Sequence, residues 1–141
     1  MSFSNIFGIA GSALNSQLVR MNASASNMAN AGTTASSEAE AFKAKRAVFQ
    51  TILSDQQKTD HAMSVGGVKV LELAIDDTPN EKLYDPGNPN ADQDGFVYSS
   101  NVNEVTEMVE MTASARSYQN NVEVVNTARQ LMMRTIDITK A

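Results

Sequence analysis

The 141-residue chain has no cysteine and no tryptophan, a single histidine and three prolines. Each shortage closes something off. Without cysteine there can be no disulfide framework and no thiolate metal site, although the absence says little about compartment. A Ser-His-acid constellation would have to pass through His61, and no second metal ligand stands near it. Aromatic residues make up 6% of the chain, and much of the 42% apolar fraction is alanine, which buries little area. A large compact core is therefore not expected. Lys and Arg number 11 against 16 Asp and Glu, a net charge of −5. No basic stripe exists to displace counterions from phosphates, so nucleic acid is excluded as a partner. No run approaches the roughly 20 apolar residues that span a bilayer, so membrane insertion is not expected. Met1 to Val19 carry no Lys or Arg and are broken by Gly8, Gly11 and Ser12, so they do not read as a cleaved secretory signal.

What is present is helical periodicity at both ends. Phe7, Leu14, Met21 and Met28 recur every seventh residue, with Leu18 and Ala25 beside them. Val122, Val125, Arg129, Met132 and Ile136 keep a 3/4 step near the other end, and Val124, Ala128, Leu131, Thr135 and Ile138 keep another. Such spacing places side chains on one side of a helix, and a seven-residue repeat suits coiled packing. The first helix is expected from about Ser4 to Ala31, with Ser4 or Asn5 as cap and Gly32 as a left-handed stop. Arg20 is the only charged side chain before Glu38. So uncharged a helix points to contact on more than one side. The second helix is expected from an Asn101 cap, with Glu104 reaching back, to about Thr139. Glu104, Glu107 and Glu110 near its start and Arg129, Arg134 and Lys140 near its end suit the helix dipole.

The middle is different. Gly32 to Ser37 is a small-residue linker. Phe42 to Gln50 alternates imperfectly, and Val68 to Ile75 after Gly66-Gly67 is a better strand. With polar Asp55 to Asp60 between them, these predict a β-hairpin arm. A lone hairpin is marginal in water, so neighbours must order it. His61 lies at its tip and reads as a solvated loop residue. Pro86, Gly87, Pro89 and Gly95, with interleaved Asn and Asp, predict a turn-rich loop. Within it, Asn90 to Gly95 resembles the opening of a calcium loop. The twelfth position is Asn101 rather than a bidentate Glu, and no helix enters the loop. Neither a glycine-rich phosphate loop nor a catalytic constellation is present, so the chain reads as a non-enzyme with no cofactor.

Several segments together resemble a known family. Ala25-Ser26-Asn27-Met28-Ala29-Asn30-Ala31-Gly32-Thr33 is similar to the Asn-x-Ala-Asn-x-x-Thr signature of bacterial flagellar axial proteins of the rod and hook. Phe42-Lys43-Ala44-Lys45-Arg46 is similar to the segment that follows it. Tyr84-Asp85-Pro86-Gly87-Asn88-Pro89-Asn90-Ala91-Asp92, Gly95-Phe96-Val97, Asn101-Val102-Asn103 and Ala115 to Glu123 resemble the short members of the proximal rod. The likeness covers nearly the whole chain.

The expected fold is mainly α. Residues 1–31 and 101–141 form one discontinuous helical domain packed as an antiparallel-type coiled coil, and 32–100 supply the linker, hairpin arm and loop. The resemblance implies a structural subunit of the basal-body proximal rod, which transmits motor torque to the hook. It also implies export through the flagellar apparatus without a cleaved signal, and a periplasmic position. The implied partners are copies of itself, other rod proteins, the membrane-ring and export-gate end, and the distal rod. Subunit packing is expected from Leu14, Leu18, Met21, Met28, Val109, Val122, Val125, Met132 and Ile136. Inter-subunit loop contacts are expected from Tyr84, Asp85, Pro86, Asn88, Pro89 and Phe96. The rival readings are a non-filamentous helical adaptor and a calcium-dependent binding module.

Overall fold

The computed structural model describes residues 3–52 and 66–140. Two helices frame it. Helix α1 runs Phe3–Ala29 and helix α2 runs Glu104–Lys140. At 1.5 Å per residue these are rods of about 40 and 55 Å. Arg20 of α1 pairs with Glu110 of α2, while Phe3 and Ile6 lie with Val124, Ala128 and Leu131. As numbering rises on one helix it falls on the other, so the pair is antiparallel. The last two to three turns of α2 then project beyond the start of α1.

The "mainly α" expectation needs correction. Helices take up about half of the described residues, and five strands lie between them. Strands β1 (Thr34–Ala35), β4 (Lys82–Tyr84) and β5 (Phe96–Ser99) form an antiparallel sheet in the order β1-β5-β4. Strands β2 (Lys45–Ile52) and β3 (Gly67–Ile75) form the expected hairpin, antiparallel from Lys45 opposite Ile75 to Ile52 opposite Gly67. The register shifts at Val48/Phe49, a bulge that re-aims the side chains beyond it. The turn from Asp55 to Asp60 and His61 lie outside the described residues.

The hairpin is ordered by α1. The Ser12 hydroxyl accepts the Val68 amide at 3.2 Å, and the Ser16 hydroxyl, which donates to the Ser12 carbonyl at 2.9 Å, lies 3.5 Å from the Val68 carbonyl. Helix α1 thus shows the hairpin a polar, small-residue face. Its buried residues are Ala10, Ser16, Ala23, Ser24 and Asn27. On α2, Glu107, Ser114 and Ala128 are buried at steps of seven and fourteen. Short side chains let two backbones approach closely, and this leaves bulkier neighbours at the flanks.

Three cap expectations fail for local reasons. Ser4 and Asn5 lie inside α1, which is already helical at Phe3. Gly32 does not adopt a left-handed conformation; among the described glycines only Gly95 does, at φ 80°. Helix α1 instead unwinds through amide bonds from Asn30 to Asn27 and from Ala31 to Met28, with the Asn30 side chain donating to the Ser26 carbonyl. At α2 the cap is Asn103, whose Oδ1 accepts the Thr106 amide at 3.0 Å. Asn101 is engaged elsewhere.

Candidate assembly site

The elements meet at a junction built from three asparagine amides and one ion pair between a half-exposed arginine and a buried glutamate. Asn27, 1% exposed near the end of α1, acts as a short piece of strand. Its Nδ2 donates to the Lys45 carbonyl at 2.9 Å and its Oδ1 accepts the Lys45 amide at 2.8 Å. Asn101 accepts the Ala44 amide at 2.7 Å and donates to the Asp76 and Thr78 carbonyls at 3.1 and 2.8 Å. Asn80 donates to the Phe42 and Ser99 carbonyls at 3.0 and 2.7 Å. An amide side chain can serve a donor and an acceptor at once, which is what an irregular chain crossing needs.

The ion pair adds charge to this framework. Arg46 on β2 reaches Glu107 on α2 at 2.7 Å and lies 3.8 Å from Asp76. Glu107 is fully buried, and its second oxygen has no protein partner. Taking such a carboxylate out of water is costly unless a cation meets it, so Arg46 fixes the base of the hairpin to α2. Hydrogen bonds from the Thr78 hydroxyl and amide, helped by the Arg46 charge, hold the Asp76 carboxyl below its ordinary value of 3.8.

The loop from Tyr84 to Phe96 is tied off locally. Asp92 Oδ1 accepts the Asp94 and Phe96 amides at 2.9 and 2.8 Å. Asn90 Nδ2 donates to the Thr34 carbonyl at 3.0 Å. The six-residue run that resembles a calcium loop is therefore organised as a turn. Gly95 is needed here: a Cβ would sit 3.0 Å from the Tyr84 ring and 3.1 Å from Pro86, at a positive φ. The Tyr84 and Phe96 rings meet edge-on at 5.2 Å, and the Lys82 ammonium stands 4.2 Å from the Phe96 ring centre.

The expected contact residues divide by exposure. In the helix seam Leu14, Met21, Met28, Val125 and Met132 are half-buried, whereas Leu18, Val109, Val122 and Ile136 are exposed. In the loop Tyr84 is 68% exposed, Asp85, Pro86 and Pro89 are exposed, and Asn88 and Phe96 are half-buried. The sequence reading did not single out Asn80, Arg46 or the pairing role of Glu107. Arg46 and Glu107 lie 61 positions apart, with no spacing signal to connect them.

The fold is a pair of terminal helices around a β-rich middle, with much apolar surface facing out. Residues 93–138 match the family described as flagellar basal body rod FlgEFG protein C-terminal. The flagellar basal-body rod protein FlgC of Yersinia enterocolitica is 44% identical over 98% of each chain. That of Salmonella typhimurium is 42% identical over 98% of each. The Agrobacterium fabrum protein is 39% identical over 94% of this chain and 92% of its own. The chain belongs to the FlgC family of flagellar basal-body rod proteins. It is a structural rod subunit of the flagellar basal body, not an enzyme. The adaptor and calcium-module readings find no support in these relatives.

Proposed function

We propose that the chain polymerises in the proximal rod with copies of itself and other axial proteins, between the membrane-ring end and the distal rod. There it would carry motor torque toward the hook. In this reading the protein reaches the periplasm through the flagellar export apparatus, without a cleaved signal. Among the described residues no helix is long and apolar enough to cross a membrane. The two helices act as one discontinuous domain, residues 1–31 and 101–141, supercoiled as an antiparallel-type coiled coil. The arm and loop of residues 32–100 reach neighbouring subunits.

The observation that carries this reading is uncovered apolar surface. Leu71, Ile75, Val105, Val109 and Ile138 are 56–77% exposed. Fully burying one such side chain is worth about 1.5–3 kcal/mol, so neighbours that cover them stabilise a polymer. Val125→Asp and Met132→Asp are expected to block rod assembly and abolish swimming, with the variant monomers still helical by circular dichroism. Normal swimming in both variants would contradict the proposed seam.

A further inference from the structure

Two apolar strips on the described surface stay about half or more exposed, the second meeting Phe3 and Ile6 of the same chain only at Leu131. The first is the outer face of the hairpin, where Leu71, Leu73 and Ile75 are 56, 47 and 60% exposed. The inner face is held to α1 through Ser12, Ser16 and Asn27, so this ribbon shows water its greasy side. The second strip lies on the projecting end of α2, where Leu131 and Ile138 are 51 and 77% exposed one above the other. The two cannot meet within one molecule. The hairpin is fastened between Ser12 and Asn27 of α1, whereas α2 beyond Leu131 runs past Phe3 in the opposite direction.

The strips match in length and charge. Four strand steps from Leu71 to Ile75 span about 13 Å, and the rise from Leu131 to Ile138 is about 10 Å. Asp77 follows the hairpin strip two residues past its last member, just beyond the strand, and Arg134 flanks the helical one, one turn from Leu131 and from Ile138. Both are exposed, and neither has an ion-pair partner among the described residues. Three aliphatic side chains fall well short of the roughly 1,200 Å² that a stable free dimer buries. A contact this small holds only where a lattice repeats it. Because the strips differ and lie on separate parts of the molecule, the contact can repeat head-to-tail, as an open filament requires.

We propose that the Leu71–Leu73–Ile75 strip of one copy seats on the Leu131–Ile138 strip of a neighbouring copy, with Asp77 of the first against Arg134 of the second. The contact rests on the rod reading and specifies one of its interfaces. The lack of native cysteine makes it directly testable by engineered thiols. Basal bodies are purified from cells carrying Leu73→Cys with Leu131→Cys and oxidised with copper phenanthroline. The expected result is a chain dimer that reductant dissolves, absent from either single variant. A dimer in a single variant, a cross-link to a different axial protein, or no cross-link in rods containing the chain would each overturn the contact. A chain absent from the basal bodies would instead defeat the rod reading beneath it. Asp77→Lys and Arg134→Glu should each lower cross-linking by about two- to fivefold, the range of one exposed ion pair. The double charge reversal should restore it, and failure to restore would also refute the pairing.

Discussion

The junction at the base of the hairpin and the outer strips follow opposite rules. At the junction, polar groups are buried or half-buried and each makes a hydrogen bond: Asn27, Asn80 and Asn101 join backbone segments, and Arg46 meets Glu107, with only one oxygen each of Asn80 and Glu107 left unpaired. On the outer strips, apolar groups are exposed and unpartnered. A self-sufficient monomer would reverse this. Within the chain, specificity comes from directional hydrogen bonds that set where the hairpin leaves the helices. Between chains, the driving force is left to non-directional burial. Polar contacts here fix shape, and apolar ones wait for a neighbour.

The contrast breaks most visibly at Arg46. Arg46→Met strands the buried Glu107 carboxylate and is expected to cost about 3–5 kcal/mol, read by denaturant unfolding and by fast amide exchange along β2 and β3. An unchanged midpoint would mean that the pair does not anchor the hairpin. Next come the two asparagines before α2. Asn101→Ala leaves the Ala44 amide and two carbonyls unpaired, at about 2–4 kcal/mol. Asn103→Ala removes only a helix cap, at about 1 kcal/mol. Equal losses in the same unfolding assay would erase the distinction between crossing point and cap.

Smaller effects sharpen the outer side. Leu71→Ser should shift monomer stability by less than about 0.5 kcal/mol while reducing swimming. A destabilised monomer would mean that the strip serves the intramolecular fold. The smallest effect concerns acid. Because the folded-state pKa of Asp76 is lowered, its stabilising contribution is complete above the unfolded value and lost as pH falls through the folded one. Denaturation midpoints measured from about pH 5 down to pH 2 should therefore decline less steeply in Asp76→Asn than in the parent. Matching slopes would show that Asp76 does not contribute to the acid limb.

The helices were legible because long uninterrupted 3/4 patterns have few other realisations. The hairpin was legible from Gly66-Gly67 and the alternation after it. Strand β1 was hidden because Thr34 and Ala35 sit in a small-residue link and pair with distant Ser99 and Tyr98. The junction escaped for a related reason. Asn27 and Asn101 are residues that ordinarily cap or turn, and their partners are backbone atoms 18 and 57 positions away. The helix contact favours Ala10, Ser24, Ser114 and Ala128 because short side chains allow close approach, while Leu18 and Val109 face outward. A ranking by hydrophobicity does not reveal that preference. The assembly surfaces are better marked by the apolar residues that the fold leaves uncovered.

Amide exchange on dilute monomer and on purified rods tests most directly the idea that this chain cannot cover its own apolar strips. In the monomer, the junction around Ala44 and Lys45 should be protected while α2 beyond Leu131 exchanges freely. In rods, both should be protected. Protection of α2 beyond Leu131 in the dilute monomer, equal to that at the junction, would contradict the account.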